Sequence, residues 1–453
     1  MTVKELAGDK QFYKQAIKFG VPVALQNLLT SSASFVDSMM IGGFSEIAIG
    51  AVGMAGQWFY LIMLCCWGIH SAGTMFFAQY WGANDKEGLR KATWVMFTSV
   101  LFLTVPVSIV TCVFPRLIMS IYTNDPGVIS IGGNYLRIAA FNCVFTAITT
   151  GCSGLLRSTG NAKLPLYAGF AGIFTNIFLN WVLIYGNLGF PALGVVGAAI
   201  ATVISGFVNM AILIATAIIK KNILFEMLKK KAVIAKSFVK EYYAKATPII
   251  LNESCYAVAM LIINMVFGRQ GGRNMSALSI FRTLDGIVLA FYYGFVNASC
   301  VMIGNSIGAG RIKEGIVYSR RFTILNFLTT VVVTLTIYLF RYPIISLFSV
   351  GQDITDIVSK LLLILVIFMP IRTCNYMLIG VYRSGGESKI GFYFEIIAIW
   401  FVSVPLVLLS GLHWKLSFPL VVMMSYSEDV AKIVVQLWYM LSNKWIKPIT
   451  EQG

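Results

Sequence analysis

The chain has 453 residues, 58% of them hydrophobic and 12% charged, with a mean hydropathy of +0.79. A soluble domain carries about 25% charge, so this composition excludes a water-soluble fold and makes the bilayer the solvent. The net charge of +16 does not imply nucleic acid, because the basic residues are spread over short segments between apolar runs rather than gathered in a patch interleaved with aromatics.

The N-terminus is polar and basic (Lys4, Lys10, Lys14, Lys18) and leads straight into an apolar run, so no cleavable signal peptide is expected. A spanning helix needs about 20 apolar residues, and twelve stretches qualify. In the first half they cover roughly 17–41, 49–80, 93–114, 134–155, 164–186 and 194–219. In the second half they cover roughly 246–267, 276–306, 321–341, 357–381, 391–411 and 416–441. Prolines inside them (Pro22, Pro106, Pro248, Pro405) are tolerable where neighbouring helices re-satisfy the backbone.

The two halves repeat at a constant offset of 226 residues. Arg157-Ser158-Thr159-Gly160-Asn161-Ala162-Lys163 returns as Arg383-Ser384-Gly385-Gly386-Glu387-Ser388-Lys389, Pro22 falls on Pro248, and Gly82-Ala83 falls on Gly308-Ala309. An internal repeat is a statement about architecture. Six spans per half is an even number, so both halves enter from one side and the repeat is parallel, with a pseudo-two-fold axis along the membrane normal. The expected fold is therefore an all-α polytopic membrane protein of twelve transmembrane helices in two six-helix lobes. Residues 1–219 form the first lobe, 220–245 a basic linker and 246–453 the second lobe.

Lysine and arginine orient the spans. Of the 35, 25 fall on the N-terminus, the even-numbered loops and the C-terminus; 7 fall on the odd-numbered loops, and Arg282, Arg372 and Lys432 lie inside spans. Both termini are thus expected in the cytoplasm of a multi-pass protein of the cell membrane. The linker, with Lys229-Lys230-Lys231, reads as a solvated or headgroup-facing surface. The repeated Arg-Ser-x-Gly turns read as anchors, with Arg157 and Arg383 near helix C-terminal carbonyls and headgroups.

Ionisable residues inside a span are costly, and each is a functional candidate. Asp37 lies fifteen residues after Pro22 in span one, and its repeat equivalent is Ile263. An acid kept in one half only points to function more than to scaffold. Glu253 in span seven stands either in a buried ion pair with Arg372 of span ten, structural or gating, or alone as a titratable site. Arg282 with Asp285, and Glu428 with Lys432, have spacings that favour local pairing. His70 and Glu395 are isolated. Asn176 and Asn180 share a face of span five, and Thr202 lies in the small-residue stretch of span six. These polar groups suit a hydrogen-bond network around a buried acid, and they equally suit interhelical glue.

The eight cysteines lie in or beside apolar runs without CxxC spacing, and His70 and His413 are the only histidines. They read as buried thiols without a zinc constellation, so no metal and no cofactor is expected.

Several segments together resemble the multidrug and toxic compound extrusion (MATE) family over essentially the whole chain. They are Pro22-x-x-x-Gln26 with Val36-Asp37-Ser38-x-x-Ile41-Gly42, Ala78-Gln79-x-x-Gly82-Ala83, Arg157-Ser158-x-Gly160, and Asn176-x-x-x-Asn180 running to Gly197-Ala198-Ala199-x-Ala201-Thr202. Pro248-Ile249-Ile250-Leu251-Asn252-Glu253 and Ile303-Gly304-Asn305-x-x-Gly308-Ala309-Gly310 continue the match in the second half.

The resemblance implies a secondary antiporter that exports cationic or amphipathic organic compounds in exchange for H+ or Na+ by alternating access of two lobes. It implies cation coupling at Asp37, Asn176, Asn180 and Thr202. The family's sodium-coupled members add an acid in span seven and one in span ten. This chain has Glu253 but only Arg372 well inside span ten, which puts a two-acid site there in doubt. Asn180 stands where many members carry Asp, so the chain looks closer to the DinF-like branch than to the NorM-like one, with Asp37 the lone titrating group of its lobe. Trp58, Phe59, Tyr292, Tyr293, Met39 and Met40 are candidates for lining a permissive cavity or for ordinary packing. Expected partners are the organic substrate and membrane lipid, with no nucleic acid and a monomeric state. The alternatives are a lipid-linked oligosaccharide flippase of the same superfamily, which the span-one acid argues against, and a membrane-embedded enzyme, for which no catalytic constellation is present.

Overall fold

The computed structural model describes residues 8, 10–44, 46–348 and 350–449. Lys4 lies outside the described residues, as does the side chain of Ser38. The described chain is helical apart from one isolated bridge between Gly386 and Ile446.

The first half runs α1 (Lys10–Phe44), α2 (Glu46–Gly82), α3 (Lys86–Val113), the short α4 (Pro115–Ser120), α5 (Pro126–Ser158), α6 (Lys163–Tyr185), α7 (Val195–Lys220) and the short α8 (Ile223–Lys229). The second half runs α9 (Lys236–Gly268), α10 (Gly272–Gly308), α11 (Ile312–Leu339), the short α12 (Arg341–Ser346), α13 (Gln352–Ser384), α14 (Lys389–Ala398), α15 (Phe418–Met424) and α16 (Ser427–Leu441). Beyond Ala398, α14 continues through a π-helical turn at Ile399–Ser403, an α-helical stretch at Val404–Leu408 and a second π turn at Leu409–His413.

Chemistry at the ends sets the boundaries. Asp85 caps α3 by accepting the Gly88 N–H at 2.8 Å. Asp125 caps α5 by accepting Gly127 and Val128, with Pro126 in the first turn. Asn222 caps α8. Each carboxylate or amide satisfies N–H groups that the first turn leaves without partners. Gly186, in the left-handed region at φ 77°, ends α6.

The 226-residue repeat recurs in these boundaries: Lys86–Val113 maps onto Ile312–Leu339, and Pro126–Ser158 onto Gln352–Ser384. Even the short helices Pro115–Ser120 and Arg341–Ser346 correspond. The halves part company at their ends. Where α7 is one unbroken helix, its counterpart is interrupted at Ser425–Tyr426 between α15 and α16, and α6 has no equivalent of the π turns after α14.

Among the described residues, ten helices are long and apolar enough to cross a bilayer by length and composition. The other two expected spans are α1, 35 residues long but rich in polar side chains (Gln26, Asn27, Thr30, Ser31, Ser32), and the broken α15–α16 pair. Pro22, Pro106 and Pro248 all sit inside continuous helix.

The chain forms two compact units. One comprises 25–77 and 85–243. Within it α6 packs along α7, α7 along α5, and α5 along α3. The other comprises 1–24, 78–84 and 244–453, so the start of α1 and the end of α2 group with the second half of the sequence. Its core includes Val266, Leu278, Val288, Leu361, Leu365 and Met369.

Candidate functional site

In the 25–243 unit, small residues bring the site's helices together. A Cβ on Gly197 would lie 2.5 Å from the Leu183 carbonyl oxygen, and one on Gly172 3.2 Å from that of Ser205. Glycine at both points lets α6 and α7 approach at backbone distance. Gly169 lies against the amide of Gln26, which seats α1 on α6. At the far end of α1, the Tyr185 hydroxyl donates to the Met40 carbonyl at 2.8 Å.

Between these fixed points α1 presents Asp37 to α6. The Asn180 amide donates to Asp37 Oδ1 at 2.7 Å and to Asn176 Oδ1 at 3.1 Å. The Asn176 amide nitrogen points to the Ser205 hydroxyl at 3.5 Å, and Ser205 donates to the Thr202 carbonyl at 2.9 Å. Asp37, Asn176 and Asn180 are thus brought together as expected. Thr202 stands one step further out, its hydroxyl donating to the Ala198 carbonyl of its own helix and free to accept from a neighbour. Two members were missed by sequence reasoning. Ser205 carries the link that Thr202 was expected to make, and Tyr135 of α5 neighbours both Thr202 and Asp37. Neither belongs to a motif, and only the helix packing reveals them.

With its amide oxygen and nitrogen exchanged, Asn176 donates to Asp37 Oδ1 at 2.7 Å and Oδ2 at 3.2 Å, the orientation that suits a carboxylate acceptor.

In the other unit the expected pairing of Glu253 with Arg372 is not formed, and Glu253 is not alone either. Glu253 pairs with Arg383 at 3.3 Å, so Arg383 does more than anchor a turn. Arg372 donates from Nε to Asp429 Oδ2 at 2.8 Å and from Nη2 to the Ser425 carbonyl at 3.1 Å, and its guanidinium lies 3.8 Å from the Tyr426 ring centroid. The expected local pair of Glu428 and Lys432 is present at 3.6 Å, with Asp429 also 3.7 Å from Lys432. Arg282 reaches Asn264 rather than bonding to Asp285. Glu395 is not isolated, since it accepts from the Asn252 amide at 2.7 Å, and His70 bonds to the Ala147 carbonyl at 3.0 Å.

Of the aromatic and methionine candidates, Trp58 is tied to the Thr111 hydroxyl at 2.9 Å and Tyr292 is buried against Tyr376, both packing roles. Tyr293 and Met39 are exposed on their own units. Among the described residues no group of three or more His, Cys, Asp or Glu is arranged to hold a metal ion.

Comparison with known proteins adds a family to this geometry. The MatE family model matches residues 22–182 and 248–409, two matches that begin 226 residues apart, as the repeat requires. A probable multidrug resistance protein NorM of Thermotoga maritima is 25% identical over 435 residues, covering 96% of this chain and 93% of that protein. The probable multidrug resistance protein YoeA of Bacillus subtilis is 26% identical, covering 88% of this chain and 87% of its own. Among solved structures, the outward-facing conformation of a multidrug resistance MATE family transporter of the MOP superfamily superposes with a TM-score of 0.85 at 19% identity, covering 97% of each chain. A crystal structure of MATE in the bent conformation superposes with a TM-score of 0.83 at 20% identity, again over 97% of each. The expected all-α fold of twelve helices in two lobes is the fold of those proteins.

Proposed function

This chain belongs to the MatE family of membrane transporters, which are not enzymes, and on that premise we propose that it is a proton-coupled antiporter exporting cationic or amphipathic organic compounds. The observation that carries the reading is the Asp37 carboxyl, held by the Asn180 amide at 2.7 Å with the Asn176 amide 2.7 Å from the same oxygen. A proton arriving from outside neutralises Asp37. Loss of the buried negative charge weakens the hold on a cationic substrate, which leaves to the outside. Release of the proton to the cytoplasm restores the carboxylate and its affinity for the next cation. The linkage is reciprocal, so a substrate that favours the ionised site must itself be expelled by protonation. Two lobes in alternating access provide the change of side, with both termini in the cytoplasm.

The multidrug names of the relatives support a drug-like cation as substrate. Preference for proton over sodium rests on the donor set. Asn176 and Asn180 are neutral amides and bring no second carboxylate to Asp37, so a single proton neutralises the site. The lean towards a DinF-like branch rests on the same residues. The test is uptake of ethidium into proteoliposomes under an imposed pH gradient or an imposed sodium gradient. Accumulation driven by the pH gradient alone supports the reading; accumulation driven only by sodium overturns it.

A further inference from the structure

Where the repeat breaks down, in the last two spans, three irregularities converge. The twelfth span is interrupted at Ser425–Tyr426, and α16 starts afresh at Ser427. The π turn at Ile399–Ser403 packs beside that break, with the Ser403 hydroxyl donating to the Ser425 carbonyl at 3.3 Å. Discontinuous spans and π turns are both places where membrane proteins build functional sites. The third is a cluster of fully buried charge in the first turns of α16: Glu428 and Asp429 are 0% exposed and Lys432 is 4% exposed.

The charges do not balance. The neighbours of Glu428 are Asp429 and Lys432 on its own helix, Arg372 and Tyr376 from α13, Glu395 from α14 and Tyr256 from α9. Asp285 of α10 faces Arg372, with Arg282 as its second cation. With every group ionised, Asp285, Glu395, Glu428 and Asp429 stand against Arg282, Arg372 and Lys432, leaving one negative charge in excess. An uncompensated charge in the bilayer interior is expensive, and a carboxyl there neutralises itself by taking a proton.

Geometry selects the carboxyl. Asp429 is held by Arg372 at 2.8 Å and by the Asn375 amide at 3.1 Å. Glu395 accepts from Asn252, and Asp285, whose Oδ1 is unbonded, is only half-buried. Glu428 makes no hydrogen bond through either oxygen, and its one close cation among the described residues, Lys432, is shared with Asp429. Of the four it is the one that is both fully buried and without a hydrogen bond at either oxygen. We propose that Glu428 is a second proton-exchange site, built into the broken twelfth span and separate from Asp37. A proton from water adds to a Glu428 carboxylate oxygen, no other bond changes, and the cluster goes from one negative charge to neutral. The existence of this site is independent of Asp37; its role as a second coupling proton rests on the antiport reading above.

The full chain in lipid nanodiscs is titrated while the protonated-carboxyl C=O stretch is followed by infrared difference spectroscopy. Wild type shows a band at neutral pH that Glu428→Gln removes and Glu428→Asp shifts in frequency, while Asp37→Asn leaves it in place. A spectrum unchanged by both Glu428 variants overturns the proposal, and the Asp variant keeps the test valid should the Gln variant fail to fold. Proton release on adding tetraphenylphosphonium, read with a pH dye in weak buffer, then falls by about half in Glu428→Asn or Glu428→Gln. Unaltered release with the band lost overturns the coupling role. Unaltered release in Asp37→Asn alone refutes the antiport reading at Asp37 and leaves the Glu428 site standing.

Discussion

Replacing Arg372 with methionine keeps the apolar stem and removes three interactions at once: the 2.8 Å bond to Asp429, the 3.1 Å bond to the Ser425 carbonyl and the guanidinium face on Tyr426. The Asp429 side chain is 0% exposed and that of Arg372 only 14%, so water cannot replace the lost cation. Breaking a buried pair by removing one partner costs about 3–5 kcal/mol, because the other charge is left uncompensated. Here Asn375 still donates to Asp429 and Lys432 stands 3.7 Å away, which places the expected cost near the lower end, about 3 kcal/mol. The double variant Arg372→Met with Asp429→Leu removes both charges, and apolar replacement of both partners is often close to neutral. It should therefore be more stable than Arg372→Met alone. The assay is a double-mutant cycle on unfolding in mixed micelles. A cost below about 1 kcal/mol for the single variant, the range of an exposed ion pair, or a double variant whose loss is the sum of the singles, would refute the reasoning.

Gly197→Leu forces a side chain onto the Leu183 carbonyl and should push α7 from α6; overpacking of this kind costs about 1–3 kcal/mol, read as a lowered midpoint in thermal unfolding, together with loss of ethidium transport. Asn180→Leu removes the 2.7 Å donor to Asp37 and should cut proton-driven transport while Asn176→Leu cuts it independently; transport equal to wild type in both would detach the amides from the site. At the C-terminus Lys447 pairs with Glu387, whose carboxylate also accepts the Lys389 and Ile390 N–H groups. Burial raises the Glu387 carboxyl, but the Lys447 ammonium and those N–H groups outweigh it and the net direction is down. The bond to Glu387 moves Lys447 up. A depressed acid stabilises above its ordinary value of 4.5 and loses that as pH falls through its folded value; a raised lysine stabilises below its ordinary value of 10.5 and loses that as pH rises through its folded value. Amide exchange at Lys447 and Ile449 should therefore stay protected through neutral pH and open below 4.5, and equal protection at both pH values would contradict this.

Much of the fold could be read from a single sequence because it was written twice. The offset that carries Pro22 to Pro248 also carries the ends of α3 to α11 and of α5 to α13, since helix starts and stops depend on local caps and turns that the duplication preserved. The Asp37 site was legible for a related reason. Asn176 and Asn180 are one turn apart, and a four-residue spacing fixes a shared face before any packing is known. What failed was tertiary. Glu253 and Arg372 were matched by depth alone, yet each found a nearer partner. Arg372 took Asp429, 57 residues away, because the break at Ser425–Tyr426 turns that carbonyl and that carboxylate toward α13. Nothing in the run Met424-Ser425-Tyr426-Ser427 contains a proline or glycine to announce an interruption. Thr202 donates its hydroxyl to the Ala198 carbonyl four residues back, as threonine in a helix readily does, and meets the site through Tyr135 and Ser205.

The central claim is that the Asp37 carboxyl couples export to the proton gradient. Its most direct test is ethidium transport by Asp37→Asn in proteoliposomes under an imposed pH gradient, with the thermal unfolding midpoint of the same preparation as the folding control. Asparagine keeps the shape and the hydrogen-bond partners of Asp37 but cannot exchange a proton. The account predicts that gradient-driven transport is lost while the protein stays folded. Full proton-driven transport by the variant would contradict it.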